Sequence, residues 1–390
     1  MNLATADAIP DLMLTQGGPG HAALRRLKLV NPEARSGLRR AALFLMAITW
    51  VPLCLLSLIE KLAFGGVSIS FFHDLAAQVR FLIGVPILVL ADIPVGIRLR
   101  QVARQFLTAG LVSDADIPRY AEIVAGAVRL RDSRSAELIL VGLAYMTTFL
   151  GIKAATNSGS TWFRPGTELA PVGYWYVLVS MPIWMFLIGR WAFRMVVWTR
   201  FLVQVSKMDL VLSPAHPDGA AGLGFLGKGL IPFGAVGFAF SAVISAGVAS
   251  RIIYTGAHLE DFRSAFIFLV LFILIIFTGP LLVFTPRLIA LRQTGLLRYG
   301  TMASRYIQFF DRRWVDPGEN VDEQILGTED IQSLGSLGDS YDMVRQMKVI
   351  PMELSDFIAL ALPTAIPALP LVLTVVPMKV ILGQLLRFIV

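Results

Sequence analysis

The chain carries one cysteine in 390 residues, Cys54, so no disulfide can close within it and no thiolate-based metal cluster can form. Its four histidines, His21, His73, His216 and His258, are scattered with no pair at ligand spacing, which argues against a metal site; no cofactor is expected either. Charge is scarce, at 16% of residues where a soluble domain averages about 25%. The first 24 residues lack the charged-then-apolar order of a secretory signal. No stretch reads as a soluble catalytic domain, and no internal repeat stands out.

Apolar residues take the space that charge leaves. They make up 56% of the chain, with a mean hydropathy of +0.69. A soluble fold of this length could not hide that much apolar surface, so the solvent for it must be a bilayer. The net charge of +7 does not read as a nucleic-acid signal, because Lys and Arg cluster beside apolar runs rather than interleaving with aromatics. Nucleic acid is excluded as a partner, and anionic lipid headgroups supply the counter-charge.

A spanning helix needs about 20 apolar residues. Seven runs approach that length: 41–59, 81–97, 136–152, 174–198, 230–250, 264–284 and 357–376. The second is short and interrupted by two prolines and two glycines. The expected fold class is therefore an all-α integral membrane bundle of about seven transmembrane helices. It divides into an N-terminal tail, 1–40, and a transmembrane domain, 41–390, with connecting segments 98–135, 199–229 and 285–356 on the cytoplasmic side. Orientation follows from basic residues. Arg25, Arg26, Lys28, Arg35, Arg39 and Arg40 precede the first run. Seven arginines fall between Arg98 and Arg134, and seven arginines plus Lys348 between Arg287 and Lys348. The opposing connections hold only Lys61, Arg80, Lys153, Arg164, Arg251 and Arg263. The N-terminus is expected inside.

Local patterns refine the picture. Tyr174, Trp175 and Tyr176 sit where an interfacial aromatic belt would lie, and Trp184, Trp191 and Trp198 recur every seven residues, as lipid contact or helix packing would require. Among the connections, one helix should stop at Gly110, and another should start at Asp116 as N-cap with Pro118 in its first turn. Ile117, Tyr120, Ile123, Val124 and Val128 give that second helix an apolar face. Residues 311–330 read as a loop. Residues 331–348 read as an amphipathic helix weakened by Gly335 and Gly338.

Several constellations could carry chemistry. His216 to Gly229, HPDGAAGLGFLGKG, contains Gly222-x-Gly224-x-x-Gly227 followed by Lys228. Phosphate cradling by such a loop needs a preceding strand and a soluble following helix, and here the next helix is a span. A glycine-rich hinge explains the run better. His216 and Asp218 flank Pro217 and could do acid–base work on a headgroup; otherwise Asp218 caps a turn and His216 sits in solvent. Intramembrane charge is more telling, since it usually faces protein or water. Asp92 lies near the inner end of the second span. Arg190 and Arg194 lie one turn apart at the same depth in the fourth, within reach of an ion pair with Asp92. These three are the candidate ion or substrate residues. Gly237, Ser241, Ser245 and Ala249 form a four-residue-spaced stripe on the fifth span, suited to close helix packing, though a pore lining would look similar. Pro363, Pro367, Pro370 and Pro377 break the last span, and discontinuous spans point to transporter sites.

HPDGAAGLGFL (216–226), the stretch DIQSLGSLGDSY (330–341) and the proline-rich end resemble an uncharacterised group of bacterial polytopic membrane proteins. The likeness covers roughly the second half of the chain. It implies the bacterial cytoplasmic (inner) membrane and supplies no activity and no site residues. The expected function is a channel or secondary transporter for an ion or small solute. The alternative is a membrane scaffold, sensor or assembly factor, with a lipid-modifying enzyme a distant third; no enzyme activity is assigned. Expected partners are the lipid bilayer, the solute and, if the chain self-associates, a second copy.

Overall fold

A computed structural model describes residues 35–154, 160–166, 168–315 and 329–371, together with positions 12, 14 and 17. The fold is all-helical, at 80% helix, with no strand among the described residues. Among the described residues, seven helices are long and apolar enough to cross a membrane. In chain order the main helices are α1 (Arg35–Ile59), α2 (Leu75–Thr108), α3 (Ile117–Arg131), α4 (Arg134–Ala154), α5 (Pro171–Ser206), α6 (Gly234–Thr255), α7 (Arg263–Thr278), α8 (Thr285–Phe310), α9 (Glu329–Arg345) and α10 (Leu354–Ala365). The spanning candidates are α1, α2, α4, α5, α6, α7 and α10. For α10 the described helix ends at Leu371, so the last residues of the expected span 357–376 lie outside the described residues.

α2 is neither short nor broken as its prolines and glycines suggest. It runs as one helical stretch from Leu75, started by Asp74, whose Oδ1 accepts the Ala77 N–H at 3.0 Å. A π-helical turn at Arg80–Gly84 sits just before Pro86. Proline cannot donate to the turn before it, and a locally widened turn absorbs the lost bond without ending the helix. α5 carries a matching π turn at Tyr176–Ser180, directly before Pro182.

Tryptophan and tyrosine depart from the interfacial-belt expectation. Tyr174 is exposed, but Trp175 turns inward to donate to the Ile48 carbonyl at 3.2 Å, and Tyr176 is buried among Phe81, Trp162 and Phe163. Their ring surface finds protein rather than an interface. Trp184, Trp191 and Trp198 are all buried, so the heptad stripe is packing.

The connections largely follow their sequence signals. α2 ends before Gly110, whose φ of +66° is the left-handed conformation that glycine adopts without cost. α3 begins right after Asp116, yet that carboxylate accepts from Ser113 Oγ at 2.9 Å instead of capping the helix. Tyr120 and Val124 are buried on its apolar face, and burial pushes the Tyr120 phenol well above its ordinary range while its O–H donates to Ala103 O at 2.6 Å. In the stretch expected as loop, residues 311–315 are helical and α9 already begins at Glu329; residues 316–328 lie outside the described residues. Gly335 and Gly338 do not interrupt α9. Packing of Leu337 and Val344 against α8 outweighs two glycine penalties of about 1 kcal/mol each. At the other end of the chain Leu12 and Leu14, from a segment that reads as a polar tail, are buried against the bundle.

Candidate functional site

The chemistry-bearing residues collect along the contact of α2 with α5. On α2 the positions 80, 84, 88 and 92 share one face at four-residue spacing. Arg80 Nη1 donates to the Tyr176 hydroxyl at 3.1 Å. Gly84 lies flat against the Trp184 ring, so close that a β-carbon there would sit 2.8 Å from it. Trp191 Nε1 donates to the Leu88 carbonyl at 3.1 Å. At the far end, roughly 18 Å along the helix from Arg80, the Asp92 carboxylate receives both Nη1 and Nη2 of Arg194, the second at 2.7 Å. The Arg194 guanidinium also lies over the Trp191 ring, 4.7 Å from its centroid.

Sequence reasoning paired Asp92 with either arginine, and the structure selects Arg194. Both side chains are nearly out of solvent, at 13% and 8% exposure. Arg190, one turn back, has no hydrogen-bond acceptor among the described residues; its charge answers those of Asp92 and Glu137 at longer range. It lines a cavity of about 30 Å³ with Leu14, Arg131, Ser133, Glu137 and Arg194. That volume holds one or two waters at most. Arg131 is paired with Asp132 at 2.6 Å, so the cluster balances three guanidinium groups with three carboxylates. Such a cluster fixes helices relative to one another and leaves little net charge for an ion.

The glycine-rich loop is a second, separate unit. Asp218 folds back under it, with Oδ1 accepting from Ala220 N at 2.8 Å and Gly222 N at 3.1 Å, and Oδ2 from Gly224 N at 2.8 Å. His216 Nδ1 lies 2.9 Å from the same carboxylate. Gly219 and Gly222 hold positive φ angles of +63° and +96°, and Ala221 does so at +57°, a conformation that needs this much local bonding to persist in a residue with a side chain. The backbone N–H groups that would cradle a phosphate are thus already filled by the chain's own carboxylate. Lys228 is exposed, and its backbone carbonyl accepts from Arg98 Nε at 3.2 Å. The loop docks on the residues ahead of α10: Lys348 N donates to Gly219 O at 2.7 Å, and Gly227 abuts Met352 and Asp356. Calorimetry with ATP and with NADH should therefore show no binding heat; micromolar affinity abolished by Lys228→Ala would contradict the self-filled loop.

Burial alone would raise the Asp218 pKa, but the three backbone N–H donors and His216 outweigh it and hold the group below its ordinary value. A depressed carboxylate pKa stabilises the fold above the unfolded value and loses that contribution as pH falls through it, from about pH 4 downward. Asp218→Asn should flatten this acid limb in a thermal-melt series over pH 3 to 6; an unchanged limb would remove Asp218 as its source.

The small-residue stripe on α6 faces protein. A side chain on Gly237 would run into Thr364 of α10 and Ile273 of α7. Ser241 and Ser245 are buried and Ala249 half-buried. The Ser241 and Ser245 hydroxyls have no hydrogen-bond partner among the described residues and no solvent contact, unlike the wet hydroxyls of a pore wall.

Sequence reasoning missed two groups. Arg80 was placed in an outer connection, one residue ahead of the expected run 81–97, whereas it lies within α2. The helix-start signal of Asp74 ahead of the apolar run could have revealed this. Asp356, buried at the start of α10, accepts the Glu353 N–H at 2.9 Å as half of a capping box, a role readable from its position three residues after Glu353. Comparison of the chain with protein-family models, curated proteins and solved structures gives no match.

Proposed function

We propose that the chain is a multi-pass protein of the bacterial cytoplasmic membrane, N-terminus inside, acting as a membrane scaffold or sensor. Wide apolar faces support the membrane setting: Leu138 and Ile139 on α4, and Phe268 and Ile275 on α7, are each more than 60% exposed. Such faces need an apolar solvent. Orientation rests on the excess of Lys and Arg in alternate connections. The observation that carries the functional reading is the Asp92–Arg194 pair. It is bidentate and nearly dry, it sits in a charge-balanced cluster, and it joins α2 to α5 where a solute site would need an open carboxylate. A second reading, a channel or secondary transporter for an ion or small solute, is favoured by the π turns of α2 and α5, which meet through Arg80 and Tyr176, since a π turn inside a continuous helix is a frequent mark of a functional site.

Reconstituted vesicles separate the two. Under the scaffold reading Asp92→Asn lowers thermal stability, and the wild-type protein gives no flux of chloride, phosphate, sodium or protons above empty vesicles. Flux that vanishes in a stably folded Asp92→Asn variant would replace that reading with transport.

A further inference from the structure

Arg80 differs from Arg194 in having no carboxylate partner among the described residues. Its contacts are neutral: Nη1 donates to Tyr176 Oη at 3.1 Å and to Met181 Sδ at 3.4 Å, and its guanidinium carbon lies 5.9 Å from the centre of the Phe81 ring. Nε is sealed from solvent and has no hydrogen-bond partner among the described residues. With Nη1 engaged, the Nε–Nη2 edge has no acceptor among the described residues. That edge is the face of a guanidinium that grips two oxygens at once. Asp74, whose charge also acts on Tyr176, is already committed to Ala77 N and, at 3.1 Å, to Trp162 Nε1.

A half-buried guanidinium surrounded by a phenol, a thioether and a phenyl ring lacks the counter-charge that its desolvation demands. It also sits where the π turns of α2 and α5 meet, at the bundle end opposite Asp92 and Arg194. π turns are the places where a helix can shift locally to admit a ligand. We propose that Arg80 anchors an oxyanion site, in which a phosphate group presents two oxygens to the Nε–Nη2 edge and Tyr176 holds the guanidinium in place. The phosphate can be a free ion or the head of a lipid. This site stands apart from the scaffold reading, because occupancy is read as stabilisation rather than as flux or assembly.

The test follows the unfolding midpoint of the full chain by intrinsic fluorescence. One arm, in a non-ionic detergent, compares sodium phosphate with sodium chloride at equal ionic strength. The other titrates phosphatidylglycerol into the same detergent and compares it with diacylglycerol, which lacks the phosphate. Each arm runs wild type, Arg80→Gln, Arg80→Lys and, as a control, Arg190→Gln. Wild type should be stabilised in at least one arm, and Arg190→Gln should respond like wild type. Arg80→Lys, which keeps the charge but not the two-pronged geometry, should need at least tenfold more ligand for the same shift, and Arg80→Gln should not respond. A response to phosphate ion identifies a soluble oxyanion; a response only to phosphatidylglycerol identifies a headgroup. No stabilisation in either arm, or a response unchanged in Arg80→Lys, overturns the proposal. Arg80→Lys alone decides the matter if Arg80→Gln does not fold.

Discussion

Replacing Asp92 with Asn should lower the unfolding free energy by roughly 3–5 kcal/mol, the usual cost of removing one partner from a buried ion pair. The magnitude comes from what is left behind. Arg194 is 8% exposed, and in the variant its guanidinium keeps the Trp191 ring but loses both carboxylate oxygens. Asn offers one carbonyl oxygen and no charge, so it cannot answer the bidentate fork. A double variant, Asp92→Leu with Arg194→Met, removes both charges together. It should recover most of the loss, because two apolar side chains of similar bulk carry no desolvation cost in a dry interface. The pairwise cycle of wild type, Asp92→Leu, Arg194→Met and the double variant reads this in the denaturation midpoints. If Asp92→Asn alone costs less than about 1 kcal/mol, the pair resembles an exposed surface salt bridge and no longer locks α2 to α5. If the double variant is as unstable as the single one, the loss comes from packing rather than charge.

The same pair shows how far the sequence could be read. Asp92 and Arg194 were legible as partners because apolar runs set their depth, and charge at matched depth in two spans has few alternatives. Their choice of each other over Arg190 was not legible, since one helical turn separates the two arginines and only side-chain geometry discriminates. The seven apolar helices were visible for the same reason that apolar runs are costly anywhere else. The start of the second was not: α2 begins at Leu75, six residues before the run at 81–97, because the π turn before Pro86 keeps the helix going. Proline signals a lost hydrogen bond, but the sequence does not say whether the chain stops there or widens by one residue. Arg80 was hidden by that ambiguity. Asp218 shows the opposite case. The G-x-G-x-x-G pattern correctly marked a loop whose backbone N–H groups converge on an anion, and only the structure shows that the anion is the loop's own carboxylate.

Two glycine substitutions should move stability in opposite directions, although both glycines lie inside helices. Gly237→Leu places a β-carbon against Thr364 Oγ1 and within 3.2 Å of Ile273, and the rest of the leucine must then displace α10 or α7. Thr364 has little freedom to yield, because its hydroxyl already donates to the Leu360 carbonyl at 3.1 Å and the residue is buried. Overpacking a fixed contact costs about 1–3 kcal/mol, and more where backbones must separate. The α6–α10 contact should therefore loosen, seen as a lower melting midpoint and faster protease cleavage in the last span. Gly335→Ala makes the contrast. It sits in α9 with nothing within 4 Å of the added carbon and without a positive φ, so alanine should stabilise by about 0.5–1 kcal/mol through reduced chain entropy in the unfolded state. Equal midpoints for wild type and Gly237→Leu would mean that α6 and α10 are not held at the observed distance. The stripe of Gly237, Ser241, Ser245 and Ala249 would then lose its packing role and regain the pore-lining alternative, with the two unpartnered serine hydroxyls as its polar wall.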